Sequence, residues 1–169
     1  MVGPERKRQQ VGFEGSEFGS YYTEATEFPL VTGGTYTLCI ELTASSTIDI
    51  GALGAHELPA GAYAYTGSAF GTGGFSRVDR HYELAAGKRE TRHWHIDYLL
   101  GHGNAVISGD IRTSGADIEC AVAAELPASP VPEFGSSDCN CLAHLAYDED
   151  GARLREAAAS AHRRLTGNG

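Results

Sequence analysis

Two segments decide the fold: TYTLCIEL at residues 35–42 and GAYAYTG at residues 61–67. In both, apolar or aromatic side chains recur at every second position, which is the period of a β-strand. The residues that share a face are Tyr36, Leu38 and Ile40 in the first segment and Tyr63 and Tyr65 in the second. We therefore expect two strands that present tyrosines to one surface.

The segments around this pair predict an α+β fold. A glycine-rich loop leads into a helix at residues 75–86, with Phe75, Val78, Tyr82 and Ala85 on its apolar stripe. Residues 47–58 predict a hairpin with turn glycines. The further expected elements are helices at 94–100, 116–126 and 152–165 and strands at 106–111 and 142–147. Together they predict a small central antiparallel sheet, about three core strands plus a hairpin, flanked by helices.

A length of 169 residues suits one domain, which we expect at residues 31–169, after a flexible extension at residues 1–30. The apolar runs are far shorter than the roughly 20 residues of a membrane-spanning helix. The first residues, MVGPERKRQQVGFEG, carry charge without a following apolar segment. We therefore expect no secretory signal and a cytoplasmic location.

The net charge of −9 argues against a nucleic-acid partner, since phosphate binding needs local lysine and arginine. Lysine occurs only at Lys7 and Lys88, a balance typical of a halophilic protein from a salt-rich cytoplasm, although an ordinary acidic protein has it too. Positive side chains nevertheless cluster between residues 77 and 95. The expected nucleic-acid-binding residues are Arg80, Lys88, Arg89, Arg92, His93 and His95.

The order of the motifs resembles the GIY-YIG endonucleases. Gly34-Thr35-Tyr36 lies on the first strand, Tyr65-Thr66-Gly67 lies on the second, and Arg77 and His81 lie on the following helix. Residues 63–69 (YAYTGSA), 77–81 (RVDRH) and 93–100 (HWHIDYLL) are similar to the Uri-type branch of archaea and some bacteria. The resemblance covers residues 33–147. Thr35 and Thr66 replace isoleucines of the family motifs, but both are β-branched and suit a strand.

The resemblance implies a metal-dependent endonuclease that hydrolyses phosphodiester bonds, with DNA favoured over RNA. Its roles fall on Tyr36 or Tyr65 as general base, Arg77 as charge stabiliser and His81 as an assisting group. A tyrosine is a poor base at its usual pKa near 10, so adjacent cations are expected to lower that pKa. Glu119, chosen over Glu125, is expected to bind Mg²⁺ or Mn²⁺. One such site cuts one strand, so a dimer would suit duplex cleavage.

Three alternatives stay open at this stage. The first alternative to the endonuclease is a non-catalytic nucleic-acid-binding module on the same fold, with the basic residues at 77–95 as its surface. His93, His95 and Asp97 have the spacing of the first ligands in a zinc metallohydrolase. The side chains of Cys120, Cys139, Cys141 and His144 form either a zinc site or a thiol-lined core. Cys39, in an apolar strand, is expected in the core.

Overall fold

The computed structural model describes residues 33–167. These residues form one compact unit. The flexible extension expected at residues 1–30 lies outside the described residues.

The central sheet has four antiparallel strands in the order β5-β1-β4-β6. They are β1 (Gly34–Leu42), β4 (Gly61–Ser68), β5 (Ala105–Ser114) and β6 (Leu145–Asp148). A separate hairpin pairs β2 (Ser46–Asp49) with β3 (Ala55–Leu58) around the 3₁₀ turn Gly51–Leu53. The α+β prediction is confirmed, and the sheet has one strand more than the three expected.

Four helices flank the sheet: α1 (Ser76–Ala85), α2 (His95–Leu100), α3 (Glu119–Ala124) and α4 (Gly151–Leu165). Helix α3 is shorter than the expected 116–126. The Thr35 hydroxyl explains this, because it donates to the Ala116 carbonyl and accepts from the Ile118 amide, which keeps the preceding residues in a loop. Among residues 33–167, no helix combines the length and apolar character needed to cross a membrane.

The two faces of the sheet are covered differently. Tyr36, Tyr63 and Tyr65 face the main core, which includes apolar residues of α1 and α2. On the opposite face, small side chains such as Ala62 and Ala64 pack against α4. Such close packing needs small residues, since a larger side chain would push the helix away. Cys39 is buried, as expected for a core residue.

Helix α1 packs Phe75, Val78 and Ala85 against the core as expected, but not Tyr82. Its buried residues are Val78, His81 and Leu84, whereas Tyr82 is 36% exposed and donates its hydroxyl to Asp110. His81 is not expected in the core from the sequence, because the ring nitrogens of a buried histidine need hydrogen-bond partners. Here the Tyr36 hydroxyl lies 2.8 Å from His81 Nε2 and provides one.

Candidate active site

A cleft of about 200 Å³ collects the residues that the motifs predict. Of the five expected catalytic residues, Tyr36, Tyr65, Arg77 and Glu119 line it, and His81 lies directly behind Tyr36. The other lining residues are Ser68, His93, Trp94, His95, Gly135, Ser137 and Asp138. Strands β1 and β4 therefore supply the tyrosines, α1 the cation and α3 the carboxylate.

The sheet register places the Tyr36 ring over Gly67. The two residues are directly paired across β1 and β4, and a Cβ at Gly67 would lie 2.5 Å from the Tyr36 hydroxyl. Glycine at this position leaves room for the phenol to reach His81. The Tyr36 and Tyr65 ring centroids are 6.4 Å apart, so both rings belong to one aromatic layer beneath the cleft.

Burial determines the protonation of this layer. It raises the pKa of Tyr36 and of Tyr65 well above the usual value, and Arg77 opposes that rise without cancelling it. The expected lowering of a tyrosine pKa by neighbouring cations is therefore outweighed by burial. Burial also lowers the pKa of His81 to about 4. His81 is consequently neutral near pH 7, although the lowered pKa makes its ring a weaker base than an ordinary histidine.

Arg77 lies at the mouth of the cleft with most of its donors unused. One terminal nitrogen donates to the Ser68 carbonyl at 2.8 Å, and the guanidinium carbon lies 4.8 Å from the centre of the Trp94 ring. Among residues 33–167, no carboxylate lies within ion-pair distance of Arg77. A planar cation that is positioned but not neutralised suits an anionic ligand such as phosphate.

Arg80 has a different environment, because both terminal nitrogens donate to the buried Asp97 carboxylate at 3.0 and 2.9 Å. Asp97 also accepts from the amides of His93 and Trp94. Burial raises the pKa of Asp97, but these hydrogen bonds outweigh it and lower the pKa. This ion pair connects α1 to α2. We therefore assign Arg80 a structural role beside the site and not a role in phosphate binding.

The spacing of His93, His95 and Asp97 does not translate into a metal site. Asp97 is occupied by Arg80, His95 Nδ1 accepts from the Gly135 amide at 2.8 Å, and His93 is exposed. Within the described range 33–167, the metal-type cluster lies elsewhere in the structure. The alternate spacing therefore does not bring the three side chains to one metal ion. Each of them has a different environment.

Of the remaining basic residues apart from His93, Arg89 lies nearest the cleft, in a groove that Arg77 and Trp94 also line. Lys88 and Arg89 are exposed, and Arg89 pairs with Glu83. Arg92 donates to the carbonyl of Glu90. Only His93 of this group also lines the cleft.

The predicted cysteine–histidine set does converge. The ligand atoms of Cys120, Cys139, Cys141 and His144 all lie within 4.8 Å of one another. His144 Nε2 is 3.4 Å from the Cys139 sulfur and 3.6 Å from the Cys120 sulfur. This cluster can bind a metal ion.

Glu119 links the cluster to the cleft. One of its carboxylate oxygens lies 3.2 Å from His144 Nδ1, within ion-pair distance although not aligned as a hydrogen bond. His144 is buried, and Glu119 side-chain exposure is 24%. The carboxylate expected to face a substrate thus also contacts the histidine of the metal-type cluster.

A family profile described as "Domain of unknown function DUF123" matches residues 35–167. The chain belongs to the DUF123 family. The match spans the sheet and its helices, so both the cleft and the cysteine–histidine cluster lie within the DUF123 region. No curated protein and no solved structure matches the chain.

Several lining residues were not expected from the DUF123 sequence. Trp94 lies within the quoted motif HWHIDYLL, but an aromatic beside a helix start has no distinctive signal. Ser137 and Asp138 lie in the loop before Cys139, far along the chain from Glu119. Only folding brings them to the cleft, where Asp138 is the second carboxylate beside Glu119.

Proposed function

We propose that this protein is a metal-dependent endonuclease that hydrolyses phosphodiester bonds, with DNA as the favoured substrate. The observation that carries the proposal is the meeting of three groups at one cleft: the Tyr36–His81 pair, Glu119, and Arg77, which has no carboxylate partner among residues 33–167. Phosphodiester hydrolysis needs a proton acceptor, a cation for the developing charge and a carboxylate for a metal ion. The resemblance to GIY-YIG endonucleases supports the same assignment.

The proton acceptor in this proposal is the Tyr36–His81 pair. Neutral His81 takes the proton of the Tyr36 hydroxyl, 2.8 Å from Nε2, as the Tyr36 oxygen takes a proton from the attacking water. This relay avoids a free tyrosinate, which burial disfavours, but it forms a protonated His81, which burial disfavours as well. The proton must therefore leave His81 again before the next turnover. The relay favours Tyr36 over Tyr65, whose hydroxyl has no histidine partner among the described residues.

The charge that develops on the phosphate is assigned to Arg77. Its guanidinium is fixed by the Ser68 carbonyl and the Trp94 ring, so little reorganisation is needed when the charge appears. Glu119 would hold the Mg²⁺ or Mn²⁺ ion, with Asp138 facing the same cleft. That ion supplies Lewis-acid stabilisation of the leaving oxygen.

The nucleic acid in this proposal approaches across the basic surface beside the cleft. Lys88, Arg89, Arg92 and His93 are available there for backbone phosphates, which are contacted without regard to sequence. One cleft per chain cuts one strand, so duplex cleavage would take a dimer or two successive visits.

We assign the cysteine–histidine cluster as a zinc site. Three thiolates and one imidazole are a donor set of closed, four-coordinate zinc sites, which leave no position for substrate. Its role is therefore structural and separate from the ion at Glu119. Elemental analysis of protein purified without added metal is expected to find one zinc per chain.

The activity is tested by incubating the protein with single-stranded, branched and duplex DNA and RNA, with Mg²⁺, with Mn²⁺ or with neither. We expect cleavage that needs the ion and is lost in Glu119→Gln, because the amide cannot replace the carboxylate charge. Glu125→Gln is the matched control, since Glu125 lies at the other end of α3 and pairs with Arg164. Binding without cleavage under every condition would instead support a nucleic-acid-binding module.

A further inference from the structure

We propose that Glu119 is a shared positioning residue: it orients His144 as a zinc ligand, and the zinc centre in turn fixes Glu119 at the wall of the cleft. The role of Glu119 at the cleft rests on the proposed function. The role of Glu119 in orienting His144 rests only on the geometry of the cluster. This shared role makes zinc occupancy a condition for a correctly built active site.

The geometry of His144 supports the proposal that Glu119 orients this zinc ligand. Its Nε2 faces the sulfurs of Cys139 and Cys120 at 3.4 and 3.6 Å, whereas Nδ1 lies 3.2 Å from a Glu119 oxygen. A metal bound at Nε2 leaves the proton on Nδ1, where Glu119 is the carboxylate that can accept it. Nδ1 is buried and makes no hydrogen bond among residues 33–167. The Glu119 oxygen at 3.2 Å is within reach, so a small rotation of either side chain would pair this buried donor.

Carboxylates in this position matter for metal binding. A carboxylate that accepts the second ring N–H fixes the tautomer and orientation of a ligating histidine, and its loss typically costs about 10–100-fold in metal affinity. Cys120 follows Glu119 directly in the chain, so the same short helix supplies a thiolate and the supporting carboxylate. Moving either one displaces the other.

The loop between the cluster and the cleft supports the proposal that the zinc centre positions the cleft wall. The His144 amide donates to the Phe134 carbonyl, and the Gly135 amide donates to His95 in the cleft wall. Gly135, Ser137 and Asp138 line the cleft immediately before the ligand Cys139. A zinc ion that draws the four ligands together therefore also sets the position of this wall.

The test measures zinc affinity by competition with a chromogenic chelator, together with the absorption spectrum of the Co²⁺-substituted protein. We expect Glu119→Gln to bind Zn²⁺ about 10–100-fold more weakly than the wild type. Its Co²⁺ ligand-field bands should shift, because the imidazole loses its carboxylate partner. Glu125→Gln, on the same helix but paired with Arg164, should match the wild type in both measurements.

Cysteine variants check the site itself. Cys139→Ala should lose the zinc, while Cys39→Ala should keep it, since Cys39 lies in β1 outside the cluster. A wild-type protein that binds no zinc would overturn the inference, as would a Glu119→Gln protein with unchanged zinc affinity and Co²⁺ spectrum. Both readouts are independent of cleavage, and far-ultraviolet circular dichroism with zinc in excess reports whether each variant is folded.

The two proposals fail separately. Weakened zinc binding in Glu119→Gln, with no cleavage of any substrate by the wild type, would keep the shared role of Glu119 and remove the nuclease. Cleavage that depends on Glu119 while zinc affinity stays unchanged would keep the nuclease and remove the shared role.

Discussion

Among the described residues, the Ser68 carbonyl and the Trp94 ring hold the Arg77 guanidinium at the cleft. At the scale of residues, this leaves most of the Arg77 donors without a partner among the described residues. Arg80, one turn of α1 away, shows the opposite case, because Asp97 engages both of its terminal nitrogens. Two arginines of one helix thus have distinct roles.

We expect Arg77→Ala to lower the cleavage rate by about 10²–10³ while the fold is retained, because a preorganised charge contact to the transition state is lost. Single-turnover rates and circular dichroism measure the two effects. Arg163→Ala, which removes a surface pair with Glu156 on α4, is the control and should cleave normally. Near-wild-type cleavage by a folded Arg77→Ala protein would remove Arg77 from the site.

His81 predicts how stability depends on pH. Burial lowers its pKa to about 4 in the folded protein, against an ordinary value near 6.5 in the unfolded chain. As pH falls through this window the unfolded chain binds a proton that folded His81 does not, so His81 contributes a loss of stability between about pH 6.5 and 4. The shift corresponds to roughly 3 kcal/mol at most.

The measurement is the free energy of unfolding by urea at pH 7 and pH 4.5 for the wild type and for His81→Gln. The wild type should lose more stability than the variant over this interval, since only His81 differs between them. Equal losses in the two proteins would show that His81 titrates normally.

At the scale of elements, one glycine of β4 decides whether the aromatic layer can form. Gly67 lies opposite Tyr36, and an added Cβ would meet the hydroxyl and ring of that tyrosine at 2.5 and 2.6 Å. The side chain cannot move aside freely, because it is buried and contacts His81. The strand pair therefore tolerates the Tyr36–His81 contact only with glycine at residue 67.

We expect Gly67→Ala to lower the free energy of unfolding by about 1–3 kcal/mol, the usual cost of overpacking. Cleavage should fall as well, because Tyr36 must shift away from His81. Gly103→Ala is the control: no atom lies within 4 Å of its added Cβ, so stability should change little. A Gly67→Ala protein as stable as the wild type would mean that β1 and β4 adjust without strain.

Elements were predicted where the pattern is local and missed where a distant contact sets a boundary. The period of β1 and β4 depends on residues within each strand, and both strands were predicted. The start of α3 depends on Thr35, more than eighty residues earlier in the chain, and was predicted three residues too early. Likewise β6 begins at Leu145, whereas Leu142, taken as its start, is 89% exposed.

At the scale of the whole molecule, a net charge of −9 sets two opposing responses to salt. Repulsion among excess carboxylates destabilises the compact state in dilute buffer, and 1 M salt reduces the screening length to about 3 Å. We therefore expect the melting temperature to rise from low to multimolar KCl. A melting temperature that stays flat would remove the expectation of a protein adapted to high salt.

Cleavage should follow a different curve. Phosphate binding at Lys88, Arg89 and Arg92 weakens as salt increases, because releasing counterions into a more concentrated solution gains less free energy. Stabilisation and weaker binding oppose each other, so activity is expected to pass through a maximum. Rates measured over the same KCl series, on substrate in excess, test this; activity that is highest in dilute buffer would show that binding dominates.

The sequence by itself determined the architecture and the order of the motifs, because strand and helix periods are local properties of neighbouring residues. Through the resemblance to the GIY-YIG endonucleases it also pointed to Tyr36, Tyr65, Arg77 and Glu119, which the structure brings to one cleft. Only the tertiary structure decided that burial raises the tyrosine pKa values, that Arg80 is taken up by Asp97, and that Glu119 contacts His144. Burial and ion pairing depend on contacts between residues that are far apart in the sequence, so no local sequence pattern predicts them.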